Sequence, residues 1–477
     1  MNTRTLRQIK DLPGPRGLPI LGNSLQVNPA QIHQDMERWA REFGSLFKVK
    51  LGRSQMLVVA DNALFGAVMK DRPNGFRRTP MLVIVSTELG LPQGLFSAEG
   101  DDWLRQRRMV MASFAPSHVR AYFPSLVRVT LRLQERWKTA ASADQPINLQ
   151  ADLMRFTVDA IAGLAFGKDI NTLQAGDDVI QRHLDKVLPS LFNRVFSLVP
   201  WWRFFKRAAD RELETSVAVI KTMLEELVAQ ARQRLQDDSS LQEQPRNLLE
   251  AMIVAADQPD SGLGDRQIVG NVLTMLLAGE DTTANTLAWM IHLLKQNPKA
   301  LQRLQDEVRT LAPNPAAFTL ELMDSLVYLD ACASETMRLK PVAPFLPLQA
   351  LRDTQVGDVA VRKNDIVWGV LRHDSVSEPH FANPGHFEPE RWLADAPNPL
   401  TSEAKRAAMP FGSGPRMCPG RYLALLEMKM AMAMLLASFD IEAVDTPDGK
   451  EARELMAFTM NPVGLTMRLR ERAAASS

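Results

Sequence analysis

The chain has 477 residues, and its 45% hydrophobic and 23% charged residues give the composition of an ordinary globular protein, which excludes a disordered chain. The 56 Lys and Arg residues balance 55 Asp and Glu residues, so the net charge of +1 gives no reason to expect nucleic acid as a partner. The only two cysteines, Cys332 and Cys418, argue against a disulfide framework and predict a reducing compartment, the cytoplasm.

The N-terminal region combines a polar start with a predicted hairpin. Residues 1–11 are polar and contain no apolar run, whereas a membrane anchor needs about 20 apolar residues. We therefore expect neither a signal peptide nor a membrane anchor. Residues 46–51 and 55–60 alternate between apolar and polar side chains around a turn that contains Gly52. This pattern predicts a β-hairpin.

Residues 78–97 are apolar, but they contain Pro80, Gly90, Pro92 and Gly94. These residues interrupt helices, so the segment is predicted to be an irregular loop.

Trp103 and Arg107 follow this segment and are four residues apart. On a helix they point to one face and can jointly hold an anion. The alternative is a packed indole beside a solvated charge.

Residues 268–297 form the longest predicted helix, and two acidic residues near its centre argue against a membrane span. The centre reads Ala278, Gly279, Glu280, Asp281 and Thr282. Glycine lowers helix propensity, and a threonine hydroxyl can bond to the carbonyl four residues back. Such a costly arrangement within a helix indicates a functional site.

Glu335 and Arg338 have the i, i+3 spacing of an ion pair on one helix face. Taken alone, the pair is a common feature of exposed helices. Residues 341–347 follow, an apolar stretch stiffened by three prolines.

Cys418 lies in a loop rich in glycine and proline, directly before an apolar run at 422–439 that predicts a buried helix. The N-terminus of a helix stabilises negative charge, which favours a thiolate and therefore a metal. The alternative is an inert buried cysteine.

The loop also carries a family resemblance. Phe411, Gly414, Arg416, Cys418 and Gly420 match the spacing Phe-x-x-Gly-x-Arg-x-Cys-x-Gly of the haem-ligand loop of the cytochrome P450 family, the haem-thiolate monooxygenases. The other motifs follow in the family's order. The chain therefore resembles a soluble, bacterial-type member without a fused reductase.

The resemblance implies a mostly α fold with a small β lobe, in which haem b lies between a long central helix and the cysteine loop. Residues 1–477 are expected to form a single haem domain, with a β-rich lobe at roughly 40–75 and 340–390. Leu348 stands where the family often has an arginine that holds a haem carboxylate.

The resemblance also implies roles for individual residues. Cys418 is the expected axial ligand of the haem iron, and Asp281 and Thr282 are the expected catalytic acid and alcohol. The residues expected to contact the haem are Trp103, Arg107, Ala278, Gly279, Phe411, Gly414, Arg416, Cys418 and Gly420. An ion-pair brace behind the cysteine loop is expected from Glu335, Arg338 and Arg391.

The implied reaction is hydroxylation or epoxidation of a lipophilic small molecule with O2. The expected substrate pocket is formed by Leu82, Val83, Phe96, Val342, Phe345 and Phe458. Ordinary loop packing is the alternative for each of them.

Two electrons are expected from a separate donor, which is a ferredoxin, a flavodoxin or a reductase. The basic residues expected to attract it are Arg105, Arg108, Lys405, Arg406, Arg421 and Lys429. The aromatic and basic segment 200–206 either contacts lipid or packs between the helices above the pocket, and we favour packing.

Two rival functions remain. One is a peroxide-driven or oxygen-independent haem-thiolate enzyme, such as an isomerase. The other is a non-catalytic haem sensor. The presence of both Asp281 and Thr282 argues against each of them.

Overall fold

The computed structural model describes residues 6–114, 116–174, 179–197 and 199–472. Within these ranges the chain is mostly helical, as predicted. The helices are α1 (Ile32–Phe43), α2 (Asn62–Lys70), α3 (Pro80–Glu88), α4 (Gly100–Ser113), α5 (Pro116–Ser142), α6 (Leu149–Phe166), α7 (Val179–Leu184), α8 (Val187–Val195), α9 (Ala208–Asp237), α10 (Ser240–Glu243), α11 (Leu248–Ala256), α12 (Asp265–Gln296), α13 (Pro298–Leu311), α14 (Leu320–Ser325), α15 (Val327–Leu339), α16 (Leu371–Ser375), α17 (Ser402–Ala408) and α18 (Arg421–Ser438).

The strands of the described residues are short. They are β1 (Arg7–Gln8), β2 (Leu46–Leu51), β3 (Ser54–Val59), β4 (Phe76–Arg78), β5 (Ile147–Asn148), β6 (Phe345–Ala350), β7 (Thr354–Val356), β8 (Val359–Val361), β9 (Ile366–Val370), β10 (Phe439–Asp445), β11 (Glu454–Met456), β12 (Met460–Pro462) and β13 (Thr466–Glu471).

The largest sheet has the strand order β2-β3-β9-β6-β4. Its first two strands form an antiparallel hairpin with Leu51 opposite Ser54, which confirms the predicted hairpin. At the other edge, β4 and β6 are antiparallel and Arg78 lies opposite Leu348. An arginine is therefore present on the neighbouring strand, across from the position where the family often carries one.

Helix α12 is the central helix of the fold, and its 32 residues confirm the long helix predicted here. At 1.5 Å per residue it is about 48 Å long. A Cβ atom on Gly279 would lie 2.5 Å from Cδ1 of Ile161 on α6. Glycine at this position therefore permits the close contact of α12 and α6. None of the described helices is long and apolar enough to cross a membrane.

Helix α3 contradicts the prediction of an irregular loop at 78–97 for residues 80–88, whereas residues 89–97 contain neither helix nor strand, as predicted. Pro80 occupies the first turn of the helix, where its missing N–H costs nothing and its fixed φ suits the helix. Gly90, with φ of +75°, follows the end of the helix. Proline and glycine therefore mark the two ends of a helix rather than its absence.

The segment 200–206 is divided between interior and surface. Trp202 is buried, and its indole N–H donates to a carboxylate oxygen of Glu88 at 2.9 Å. Phe204 and Phe205 are exposed. The packing interpretation is correct for Trp202 and wrong for the two phenylalanines.

Candidate functional site

The cysteine loop connects a short 3₁₀ turn, Gly414–Arg416, to helix α18, which begins at Arg421. The Cys418 backbone N–H donates to the carbonyl of Phe411 at 3.0 Å. A Cβ atom on Gly414, which has φ of +72°, would lie 2.8 Å from the Met69 carbonyl oxygen. Glycine therefore lets the loop pack directly on α2. Cys418 lies two residues before Gly420, the residue that caps α18, as the sequence predicted.

The pKa of the Cys418 thiol differs from the prediction. The residue is exposed, but protein atoms around the sulfur reduce its solvation and raise the pKa of the thiol. A backbone hydrogen bond from Gly420 and the charges of Arg107 and Arg421 lower this pKa, but the effect of desolvation is larger. Desolvation thus opposes the thiolate that the helix N-terminus is expected to favour. A bound metal ion deprotonates a coordinating thiol directly.

A cluster of guanidinium groups lies beside the loop. Arg416 stacks 4.6 Å from the centre of the buried Trp103 indole and forms a very short hydrogen bond with Glu99. Arg107 donates to the Met417 carbonyl at 2.8 Å. The structure thus brings Trp103, Arg107 and Arg416 together with Cys418.

Two further arginines belong to this cluster. Burial raises the cost of charging Arg78, so its pKa is lowered, and the charges of Arg72 and Arg416 lower it further. Arg72 is buried, and its Nη2 lies 3.7 Å from a Glu99 carboxylate oxygen, which is too far for a hydrogen bond. Three of these guanidinium groups, those of Arg72, Arg78 and Arg416, therefore lie near the Glu99 carboxylate.

The cluster leaves buried donors without partners. The Nε and Nη2 atoms of Arg72 and the Nε atom of Arg416 have no hydrogen-bond partner among the described residues. Buried N–H groups on a charged side chain are costly when unpaired. The cluster is therefore suited to an additional anionic group, and the two carboxylates of haem fit this requirement next to a cysteine that can bind iron.

Asp281 and Thr282 are adjacent on α12 but point in different directions. The Thr282 hydroxyl donates to the Ala278 carbonyl at 2.7 Å. Ala278 and Thr282 both line a cavity of about 280 Å³. Asp281 does not line the cavity. Its carboxylate accepts hydrogen bonds from Asn285 at 2.8 Å and from Thr459 at a very short distance.

The predicted brace residues are in contact. Both Glu335 oxygens bond to Arg338, at 2.7 and 2.8 Å, and one of them also accepts from Arg391 at 3.1 Å. The Trp392 indole N–H donates to Glu335 at 2.8 Å. Arg338 donates in turn to three carbonyls, including that of His386. The contacts join α15 to the chain that precedes the cysteine loop.

Four of the six predicted pocket residues line the cavity, namely Leu82, Phe96, Phe345 and Phe458. Val83 does not, because it is one residue, or about 100°, around α3 from Leu82. Val342 does not line it either, and its carbonyl accepts the Met460 N–H at 2.8 Å.

The sequence interpretation missed Arg72, Arg78, Glu99, Asn285 and Thr459. Two signals were available. Asn285 is four residues after Asp281, which puts the two side chains on one helix face. Arg78 is the first residue of the segment 78–97, which contains three of the predicted pocket residues. For the contact of Thr459 with Asp281, which joins a distant hairpin to α12, the sequence holds no local signal.

The cysteine loop, the arginine cluster and the apolar cavity together suit the class of proteins that bind an iron cofactor with carboxylate groups. Comparison with known proteins identifies the family. The profile of the family described as Cytochrome P450 matches residues 12–469. The chain therefore belongs to the cytochrome P450 family, and it is a haem-dependent monooxygenase.

Curated relatives agree with this assignment. The chain is 26% identical to Protein LUTEIN DEFICIENT 5, chloroplastic, of Arabidopsis thaliana, with 84% of this chain and 68% of the relative covered. It is 24% identical to Cytochrome P450 3A6 of Oryctolagus cuniculus, with 92% and 88% covered. A Bifunctional cytochrome P450/NADPH–P450 reductase of Gibberella moniliformis is 27% identical over 98% of this chain, which spans only 41% of that relative.

Among solved structures, the crystal structure of the cytochrome P450DA heme domain superposes with a TM-score of 0.83 at 22% identity. The match covers 98% of this chain and 99% of the other. The predicted fold, a helical haem protein with a small β part, is thereby confirmed.

Proposed function

We propose that this protein hydroxylates or epoxidises a lipophilic small molecule, using O2 and two electrons from a separate ferredoxin, flavodoxin or reductase. The observation that carries the proposal is the cavity beside Ala278 and Thr282. Aliphatic and aromatic side chains form most of its wall, including Leu191, Phe192 and Leu277. An apolar ligand gains free energy there by leaving water, at about 25 cal/mol per Å² of buried surface.

The chain's own residues then have separate tasks. Cys418 is proposed to bind the iron, while Trp103, Arg107 and Arg416 hold the haem carboxylates. When bound, the haem supplies the redox chemistry that activates O2, and a thiolate ligand favours cleavage of the O–O bond. Thr282 is proposed to orient a water molecule at the cavity wall, and Asp281 is proposed to be the source of protons.

The other residues predicted to contact haem lie in different places. Ala278 faces the cavity, and Phe411 and Gly420 flank the cysteine. Gly414 acts through the packing of the loop on α2, as described above. Gly279 faces α6, so we propose a packing role for it instead of a haem contact.

A docking surface for the electron donor is proposed on the exposed sides of α4, α17 and α18. It comprises Arg105, Arg108, Lys405, Arg406 and Arg421. The prediction for Lys429 is wrong, because this side chain is buried and its amine donates to the Met323 carbonyl at 3.0 Å and pairs with Asp330. Four exposed apolar side chains accompany the basic residues: Leu104, Met111, Met417 and Tyr422.

An acidic partner with an apolar centre suits this surface. Leu104, Arg108 and Met111 have the spacing i, i+4, i+7, which puts them on one face of α4. Opposite charges would attract the partner over about 10 Å at moderate ionic strength, and the apolar contacts would then hold it.

We also propose that residues 1–477 act as one haem domain. In support, the main sheet draws β2 and β3 from the 40–75 range and β6 and β9 from the 340–390 range. A cytoplasmic location is supported by the two cysteines, which are both free.

The proposal is tested by screening lipophilic compounds for shifts of the haem spectrum, followed by oxygen consumption with a surrogate redox pair. A binding compound should be oxidised by the wild type, whereas Thr282→Ala should release more peroxide per O2. Equal coupling in both proteins would remove Thr282 from the mechanism. Turnover with peroxide but not with O2 and electrons would favour the peroxide-driven alternative.

A further inference from the structure

The carboxylate of Asp281 is held from two sides. Asn285, one turn later on α12, donates to Oδ1 at 2.8 Å. Thr459, which lies on the turn between β11 and β12, donates its hydroxyl to Oδ2. Thr459 is buried and also lines the substrate cavity. One side chain therefore contacts both the proposed proton donor and the proposed substrate space.

The base of this hairpin is fixed by charged contacts. Glu454, the first residue of β11, lies 2.9 Å from His33, 2.7 Å from Lys340 and 2.6 Å from Arg372. Several hydrogen bonds to one buried carboxylate hold the strand firmly. Any movement of the hairpin is therefore expected at its tip rather than at its base.

The tip is strained. Phe458 has φ of +92°, a conformation that residues other than glycine seldom adopt. Such a conformation persists only where the surroundings determine it. The Ala457 N–H donates to the Thr459 carbonyl at 2.9 Å and closes the turn.

The cavity determines the surroundings of Phe458. Its ring centre lies 5.6 Å from that of Phe96, and both rings line the cavity. The Arg78 guanidinium stacks 3.6 Å from the centre of the Phe96 ring. A ligand that fills the cavity therefore contacts Phe458, the residue adjacent to Thr459.

We propose that Thr459 is a positioning residue that holds Asp281 while the cavity is empty and releases it when substrate repacks the tip of the β11–β12 hairpin. Proton delivery is thereby linked to the presence of substrate. The inference rests on the function proposed above for Asp281.

The pKa of Asp281 explains how the release of its carboxylate by Thr459 would affect proton delivery. Burial raises the pKa of Asp281, the hydrogen bonds from Thr459 and Asn285 lower it, and the negative charge of Asp185 raises it again. Asp185 is exposed between α7 and α8, and the adjacent acid on α12, Glu280, is buried. When Thr459 withdraws, its stabilisation of the carboxylate is lost, so the pKa of Asp281 rises further and favours the protonated form that can deliver a proton.

The test is an infrared titration of the Asp281 carboxyl band in the ferric holoenzyme, with the band assigned by its loss in Asp281→Asn. Thr459→Val keeps the shape of the side chain and removes the donor. We expect it to raise the pH midpoint of the band by about 0.5 to 1 unit. Thr459→Ser should restore the wild-type midpoint. Thr274→Val is the matched control, since Thr274 lines the cavity but donates to Gly270 instead.

Dodecan-1-ol serves as an uncharged probe that fills the cavity. It should raise the midpoint in the wild type and leave Thr459→Val unchanged. Equal midpoints in the wild type and Thr459→Val, or an absence of change with dodecan-1-ol in the wild type, would overturn the inference. The titration requires no turnover, so failure of the proposed monooxygenation would show separately as missing substrate oxidation.

Discussion

Glu335 and Arg338 are joined by two hydrogen bonds of 2.7 and 2.8 Å, and neither side chain is exposed to solvent. A buried charge pair is strongly destabilising when one partner is lost, because the other charge remains in a poorly solvated place. Here the loss of Glu335 would leave the buried charge of Arg338 without its carboxylate partner and would also remove an acceptor from Arg391.

The first prediction concerns this pair. Glu335→Ala should lower the free energy of unfolding by about 3–5 kcal/mol and reduce the fraction of purified protein that retains haem. Chemical denaturation and the ratio of haem to protein absorbance measure both effects. Glu388→Ala is the control, because Glu388 also pairs with Arg391 but is 42% exposed. Equal losses in the two variants would contradict the account.

The second prediction concerns the guanidinium cluster. Arg78→Leu should weaken haem binding to the apoprotein roughly ten- to a hundredfold, because a buried hydrogen bond to a charged group contributes about 1.5–3 kcal/mol to the binding free energy. Arg77→Leu is a matched control on the same strand, since Arg77 donates to Gln349 at 2.8 and 2.9 Å. Haem titration followed by absorbance distinguishes them, and an equal effect of both would exclude Arg78 from the haem site.

The third prediction concerns pH. Glu427 on α18 is buried, and one of its oxygens has no hydrogen-bond partner among the described residues. Burial raises the pKa of Glu427 from about 4.5 to about 8, although a hydrogen bond with Thr283 lowers it. Between these values the folded protein keeps a proton that the unfolded chain has lost. Stability therefore falls as pH rises through this window, by about 1.4 kcal/mol per unit at most.

Glu427→Gln should remove this dependence. Wild type and variant should have similar melting temperatures near pH 5, and the variant should melt higher near pH 8. Thermal unfolding at both pH values measures the difference. A constant difference between the two proteins across the range would show that Glu427 does not titrate there.

The fourth prediction concerns electron transfer. Reversing the charge of Lys405 and Arg406 together should slow reduction by an acidic ferredoxin, and the difference from the wild type should shrink as salt screens the charges. Reversal at Lys221, an exposed lysine paired with Glu225 on α9, is the control. Unchanged reduction rates in the double variant would place the docking surface elsewhere.

Local patterns in the sequence predicted much of the fold. The length of α12, the hairpin of β2 and β3 and the position of Cys418 before α18 all follow from periodicity and from glycine and proline within a few residues. Pro80 was misread because proline both starts and interrupts helices, and the first turn of a helix was the correct context.

Contacts between distant segments were beyond the sequence. Lys429 has the charge of a surface residue, but its place on α18 directs it into the interior toward Asp330. Arg72 joins the guanidinium cluster only because α2 and the cysteine loop pack together. Thr459 reaches Asp281 across 178 residues of sequence, and the spacing of residues in the chain cannot indicate such a contact.

The central claim is that Cys418 binds the haem iron as a thiolate. The most direct measurement is the difference spectrum of the reduced protein with carbon monoxide, recorded for the wild type, Cys418→Ser and Cys332→Ala. We predict the band of thiolate-ligated haem in the wild type and in Cys332→Ala, whose cysteine is buried on α15, and its loss in Cys418→Ser. Persistence of that band without Cys418, or its absence from the haem-loaded wild type, would contradict the account.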